Sequence, residues 1–137
     1  MPRAAIVDTG PLVAFLDRGE RHHDWAVERI AELHPPLLVC EPVLAEAMYL
    51  VRGQAAAQDA IYGLLGNGAL RVGLHVEDHL TALRALHRKY RDVPISLADA
   101  CIVRLAESHD DHAVLTLDSD FTVYRKHGRQ ALDLIRP

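Results

Sequence analysis

Residues 113–120 read Ala113-Val114-Leu115-Thr116-Leu117-Asp118-Ser119-Asp120. A short apolar run that stops abruptly at acids predicts a strand buried on both faces, as in a parallel sheet covered by helices. Ala4-Ala5-Ile6-Val7, closed by Asp8-Thr9-Gly10-Pro11, repeats the pattern near the N-terminus. Pro11 then opens a helix carrying Leu12, Val13, Phe15 and Leu16. Leu37-Leu38-Val39-Cys40 is a third such run; Leu70 to Leu74, where Arg71 and Gly73 alternate with apolar residues, predicts an edge strand. Ala131 to Ile135 is expected to be the last strand.

Helical spacing fills the intervals. It joins Trp25, Ile30 and Leu33 before Pro35-Pro36, runs from Pro42 to Val51, and passes through Ile61, Leu64 and Leu65 to Gly66-Asn67-Gly68. Val76 to Tyr90 predicts one long amphipathic helix with Leu80, Leu83, Leu86 and Tyr90 inward, and Leu97 to Ala106 a further one. Strands alternating with helices imply an α/β fold around a mostly parallel sheet of about four or five strands, in one domain over residues 1–137.

Composition limits the function. Of the 137 residues, half are hydrophobic and a quarter charged, too apolar for disorder, and aromatics at 5% argue against a binder built on stacked rings. Nineteen acids against fifteen basic side chains leave a net charge of −4, which disfavours passive capture of a polyphosphate. Cys40 and Cys101 have neither metal spacing nor enough partners for a disulfide framework, and read as buried small hydrophobes. With no signal-peptide core and no run of about 18 apolar residues, a cytoplasmic protein without a membrane segment is expected.

In an open parallel sheet, ligands sit beyond the carboxyl ends of the strands. Asp8 and Asp118 each follow a predicted strand and belong on that rim. Helical phase puts Asp99 on the border of the arc made by Ala98, Cys101, Ile102 and Leu105. It puts Glu46 at the edge of the arc of Val43, Ala47, Leu50 and Val51, facing inward. Asp8 or Thr9, and Asp118 or Asp120, are equally placed to cap the segments that follow them, and Asp99 gains from its helix dipole. Four or five carboxylates turned to one rim repel one another, and a divalent cation resolves that conflict. Oxygen donors select hard ions, Mg²⁺ or Mn²⁺, which attract a phosphodiester, acidify water and stabilise a departing oxygen. The chemistry expected is phosphodiester hydrolysis.

The ordered set of Asp8 in I-V-D-T-G-P-L, Glu46 in V-L-A-E, Asp99 in L-A-D-A, and Asp118 with Asp120 in L-T-L-D-S-D-F resembles the PIN-domain nucleases, especially the VapC-like toxins of toxin-antitoxin pairs. The resemblance spans essentially the whole chain. It implies a three-layer sandwich, an Mg²⁺- or Mn²⁺-dependent endoribonuclease acting on RNA, a cognate antitoxin and a homodimer. By position it makes Asp8, Glu46, Asp99 and Asp118 catalytic and metal-binding acids and Asp120 an assisting metal ligand, with Thr9 and Thr116 as hydroxyl supports. Gly10, and Glu41 before the Pro-Val-Leu-Ala-Glu stretch, depart from the commonest pattern.

Several features are weighed beside that set. His22-His23 point about 100° apart on a helix and read as solvated rather than as zinc ligands. Arg84, Arg88, Lys89 and Arg91 form a basic run that suits either a helix C-terminus or an RNA backbone; Arg125, with Lys126 and Arg129, is placed to support a phosphate near the acids. Tyr90 and Tyr124 are expected to pack. The rival function is a non-catalytic PIN-like module that binds RNA or protein and keeps its acids as caps. A phospho-acceptor domain would want Asp-x-Asp after the first strand, where this chain has Asp8-Thr9-Gly10.

Overall fold

The computed structural model describes residues 2–137. The three apolar runs become β1 (Ala5–Val7), β2 (Leu37–Val39) and β4 (Ala113–Leu115), each buried along its length. With β3 (Leu70–Val72) and β7 (Leu134–Ile135) they form a parallel sheet in the order β3-β2-β1-β4-β7. Ile6 pairs with Leu38 on one side and Val114 on the other. The expected edge strand is at the edge. From β1 the chain builds outward through β2 and β3, then returns to add β4 and β7 on the other flank. The order therefore reverses between β1 and β4, and at such a switch point the connections diverge and leave a crevice beyond the strand ends.

Six helices alternate with these strands among the described residues: α1 (Thr9–Leu16), α2 (His23–Ala31), α3 (Glu41–Leu50), α4 (Ala55–Gly66), α5 (Leu80–Lys89) and α6 (Leu97–Ser108). Local chemistry sets where three of them start. Asp8 caps α1 from extended backbone, Pro42 stands in the first turn of α3, and Ser96 Oγ accepts the Asp99 N–H at the start of α6. Helix α6 lies against α3, α5, β1 and β4, so Ala100, Val103 and Ala106 are buried along with the expected Ala98, Cys101, Ile102 and Leu105.

Two predicted elements divide. Val76 to Tyr90 is not one helix: a 3-10 turn over Val76–His79 precedes α5, and Leu80 is 55% exposed instead of packed. His79 leaves helical backbone at φ −131°, ψ 24°, and its Nδ1 accepts a hydrogen bond from Arg104 Nε of α6 at 2.9 Å. That tie across elements interrupts a pattern that is continuous in sequence. The expected last strand over Ala131 to Ile135 also splits. Arg125–Lys126 (β5) pairs antiparallel with Gln130–Ala131 (β6), and only Leu134–Ile135 joins the main sheet. His127 and Gly128 take positive φ, 52° and 82°, which turns the chain back within a few residues.

Candidate active site

Asp8 and Asp118 occupy the loops after β1 and β4, the two strands that flank the switch point. Both caps are real, and both caps are also how the acids are aimed. Asp8 Oδ1 accepts from Thr9 N at 2.8 Å, while Asp8 Oδ2 accepts from the buried Thr116 hydroxyl at 2.7 Å. Thr116 Oγ1 in turn accepts from Asp118 N at 2.9 Å, and Asp118 Oδ1 accepts from Asp120 N at 2.9 Å, capping a 3-10 turn over Ser119–Thr122. One hydroxyl thus couples the two acidic loops. Gly10 sits at the same junction: a Cβ there would come within 3.3 Å of Leu117 Cδ1, so the absence of a side chain lets the loops close up.

Asp99 enters from α6, half-buried, its Oδ2 accepting from the Tyr124 hydroxyl at 2.9 Å. One carboxylate oxygen from each of Asp99, Asp118 and Asp120 lies within 4.8 Å of the others. Sequence reasoning did not single out Tyr124 as a partner of Asp99. It is fully buried between Phe121 and Tyr90, edge-on to both at 5.2 and 5.1 Å, so the packing role is borne out and the hydroxyl does more. Nothing in the spacing of Tyr124 from Asp99 signals that contact.

Glu46 needs a correction. It is exposed rather than turned inward, and Tyr49 and Leu50 beside it are 62% and 56% exposed. Among the described residues, no other element covers this side of α3; instead Thr9, Ala45, Glu46, Tyr49 and Leu50 line an open hollow. Glu46 still meets the site from the rim, because Thr9 Oγ1 donates to its Oε1 at 2.7 Å. Arg125 spends Nη1 on the carbonyls of Thr122, Val123 and Tyr124, at 2.7, 3.1 and 3.0 Å, and Lys126 is buried with Asp110 at 3.6 Å. Their placement serves the end of the 3-10 turn and the hairpin. His23 Nδ1 meets the Ala14 carbonyl at 2.7 Å and His22 packs edge-on to Trp25, so both are half-buried rather than freely solvated.

The acids feel one another's charge. Burial raises the Asp8 carboxyl from 3.8 to about 6 against the opposing hydrogen bonds from Thr116 and Thr9, and the negative fields of Asp99 and Asp118 add to the rise. Asp99 is raised as well, first by burial and then by Asp118 and Glu46, with the Tyr124 hydroxyl opposing. The Tyr124 phenol is pushed upward by burial and by its bond to Asp99. An all-oxygen donor set of negative, mutually repelling groups fits a hard divalent cation. Oxygens ligating one Mg²⁺ stand at most about 4.2 Å apart, so a spread of up to 4.8 Å closes with small carboxylate rotations.

A parallel α/β sheet with acids gathered at its switch point defines the class. The PIN-domain family model matches residues 5–127, and the chain belongs to that family. Within it the likeness is to VapC proteins. The chain is 32% identical over 115 residues to Ribonuclease VapC26 of Mycobacterium tuberculosis, covering 82% of this chain and 85% of that protein. The crystal structure of M. tuberculosis VapC20, described as a Sarcin-Ricin loop cleaving toxin, superposes with a TM-score of 0.74 at 20% identity, over 88% of this chain and 94% of that one. At that identity the second likeness bears on the fold.

Proposed function

We propose that this chain is an Mg²⁺- or Mn²⁺-dependent endoribonuclease that hydrolyses RNA phosphodiester bonds, and that it is the toxin of a toxin-antitoxin pair. The observation that carries the reading is the convergence of Asp99, Asp118 and Asp120 beside a buried Asp8 whose carboxyl is raised to about 6. Likeness to a protein named a ribonuclease supports RNA as the substrate. Acids from three separate stretches of chain, with Asp8 and Asp118 tied through Thr116 and Asp99 held by Tyr124, favour this reading over a non-catalytic module, since caps alone need no shared rim.

Asp8, Asp99, Asp118 and Asp120 would hold the cation, with Glu46 at the rim. When bound, it acidifies water and stabilises charge on the scissile phosphate. The chain's own groups orient the acids. Thr116 donates to Asp8 Oδ2, Tyr124 donates to Asp99 Oδ2, and Thr9 holds Glu46 Oε1. A single antitoxin-type protein partner and a second copy of the chain belong to the same reading, supported by the exposed Tyr49, Leu50 and Tyr62 on α3 and α4. So does a cytoplasmic setting; no described helix is long and apolar enough to cross a membrane. The test is cleavage of a stem-loop RNA by the purified chain: activity with Mn²⁺ or Mg²⁺, arrest by EDTA, and loss in Asp99→Asn are expected. Wild-type rates in that variant would refute the assignment.

A further inference from the structure

Five of the nine histidines, His34, His75, His79, His109 and His112, line one cavity of about 540 Å³. It shares no lining residue with the acids: Ala4, His34 and His112 precede β1, β2 and β4, whereas Asp8 and Asp118 follow β1 and β4, and His75 and His79 come to it from the chain after the edge strand β3. Within it, the rings of His109 and His112 stand 5.0 Å apart between centroids, at 62°. His109 Nδ1 is 3.0 Å from the Leu105 carbonyl, which can only accept, so Nδ1 carries the proton. His112 Nδ1 is 2.9 Å from Asp111 Oδ1, a carboxylate held below its ordinary range first by that bond, and again Nδ1 is the donor. With Nδ1 the donor in each ring, Nε2 is the nitrogen that offers a lone pair to a metal.

We infer that His109 and His112 form a two-imidazole site for a borderline divalent transition metal of the Zn²⁺ class, separate from the acidic site. Two imidazoles on one tetrahedral Zn²⁺, with Zn–N of about 2.0–2.1 Å, put their centroids about 5 Å apart, the spacing found here. An Nδ1–H held by a carbonyl or a carboxylate is the outer support that ligating histidines carry. His109 is also the C-cap of α6, where the helix dipole favours a cation. Nitrogen donors separate this ion from the Mg²⁺ or Mn²⁺ that carboxylates select.

The neighbouring charges leave room for it. Arg104 is engaged with Glu107 at 3.4 Å and with His79 Nδ1, which leaves His79 a donor, not a ligand, at Nε2. Arg71 faces the cavity together with Asp78, and Asp111 is bound to His112 itself. Among the described residues, the only group of three or more ligand-type side chains close enough to hold one ion is Asp99, Asp118 and Asp120. The histidine site is thus bidentate, its other positions open to water and exchange. A cation there braces the connection between α6, which carries Asp99, and β4, which leads to Asp118.

The test is titration of Zn²⁺ into the full chain in excess Mg²⁺, read by calorimetry and by ring ¹³C–¹H NMR of the histidines. One Zn²⁺ per chain should move the His109 and His112 ring signals ahead of the other histidines. Its affinity should fall at least ~10-fold in His109→Ala and in His112→Ala and stay unchanged in Asp99→Asn. Still ring signals for this pair, affinity preserved in the double variant, or loss in Asp99→Asn alone would each overturn the site. The wild-type NMR result decides the matter even if a variant folds poorly, and none of these outcomes bears on RNA cleavage.

Discussion

Asp8→Asn removes a charge from a carboxyl that is buried at 6% exposure, and the consequence for stability can be worked through. The carboxyl is raised from 3.8 to about 6 in the folded chain, first by burial. Below 3.8 it is protonated in both states and carries no penalty. Between 3.8 and about 6 the unfolded chain releases its proton first, so stability is lost as pH rises, and above about 6 the loss is complete. At ~1.4 kcal/mol per pH unit the full penalty is about 3 kcal/mol in metal-free buffer. The amide escapes it but cannot accept from both Thr9 N and the Thr116 hydroxyl, which returns roughly 1–2 kcal/mol. A net gain of roughly 1–2 kcal/mol raises Tm by roughly 4–8 °C for a chain of this size. The assay is calorimetric melting of wild type and Asp8→Asn in EDTA at pH 8 and at pH 4. The variant should melt higher only at pH 8, and added Mn²⁺ should reverse the order by stabilising wild type alone. A difference in Tm that does not change with pH would refute the claim that Asp8 is ionised at a cost.

Other expectations follow from single contacts. Asp99→Asn should lower Mn²⁺-dependent RNA cleavage at least ~100-fold while circular dichroism stays unchanged, because it removes charge and not core volume. Tyr124→Phe deletes only the hydroxyl that donates to Asp99 Oδ2; it should cost roughly 1.5–3 kcal/mol in metal-free denaturant unfolding and weaken Mn²⁺ binding by calorimetry, and unchanged values in both would show the bond to be idle. Thr116→Val, similar in volume, leaves Asp118 N without its acceptor and should lower stability by roughly 1–3 kcal/mol. Gly73→Val would press a Cβ to 3.0 Å from Leu105 Cδ2 and should destabilise by roughly 1–3 kcal/mol through overpacking, with a comparable Tm in the variant counting against close contact there.

Which features were legible depends on the range of the interaction involved. The apolar runs at Ala5–Val7, Leu37–Val39 and Ala113–Leu115 were readable because burial on both faces leaves a continuous hydrophobic signature. Asp8, Asp118 and Asp120 were readable because they terminate such runs, and Asp99 because helical phase set it on a border. The inward orientation assigned to Glu46 failed for a different reason. Periodicity ranks the faces of a helix but does not say which face the rest of the fold leaves uncovered, and α3 is bare beside Tyr49 and Leu50. The break at His79 escaped notice because its cause, Arg104, is far along the chain.

Taken alone, the order of residues determined the alternation of strands and helices, their punctuation by Pro, Gly and capping acids, and the position of acids at strand ends, since each of these rests on contacts within a few residues. Tertiary structure alone decided that β1 and β4 are neighbours, and hence that Thr116 bridges Asp8 and Asp118. It also decided that Tyr124 reaches Asp99, that Arg125 turns onto its own backbone, and that five histidines line one cavity apart from the acids. Those outcomes come from side chains brought together by strand order and helix packing, and a local pattern carries no information about partners that arrive from a hundred residues away.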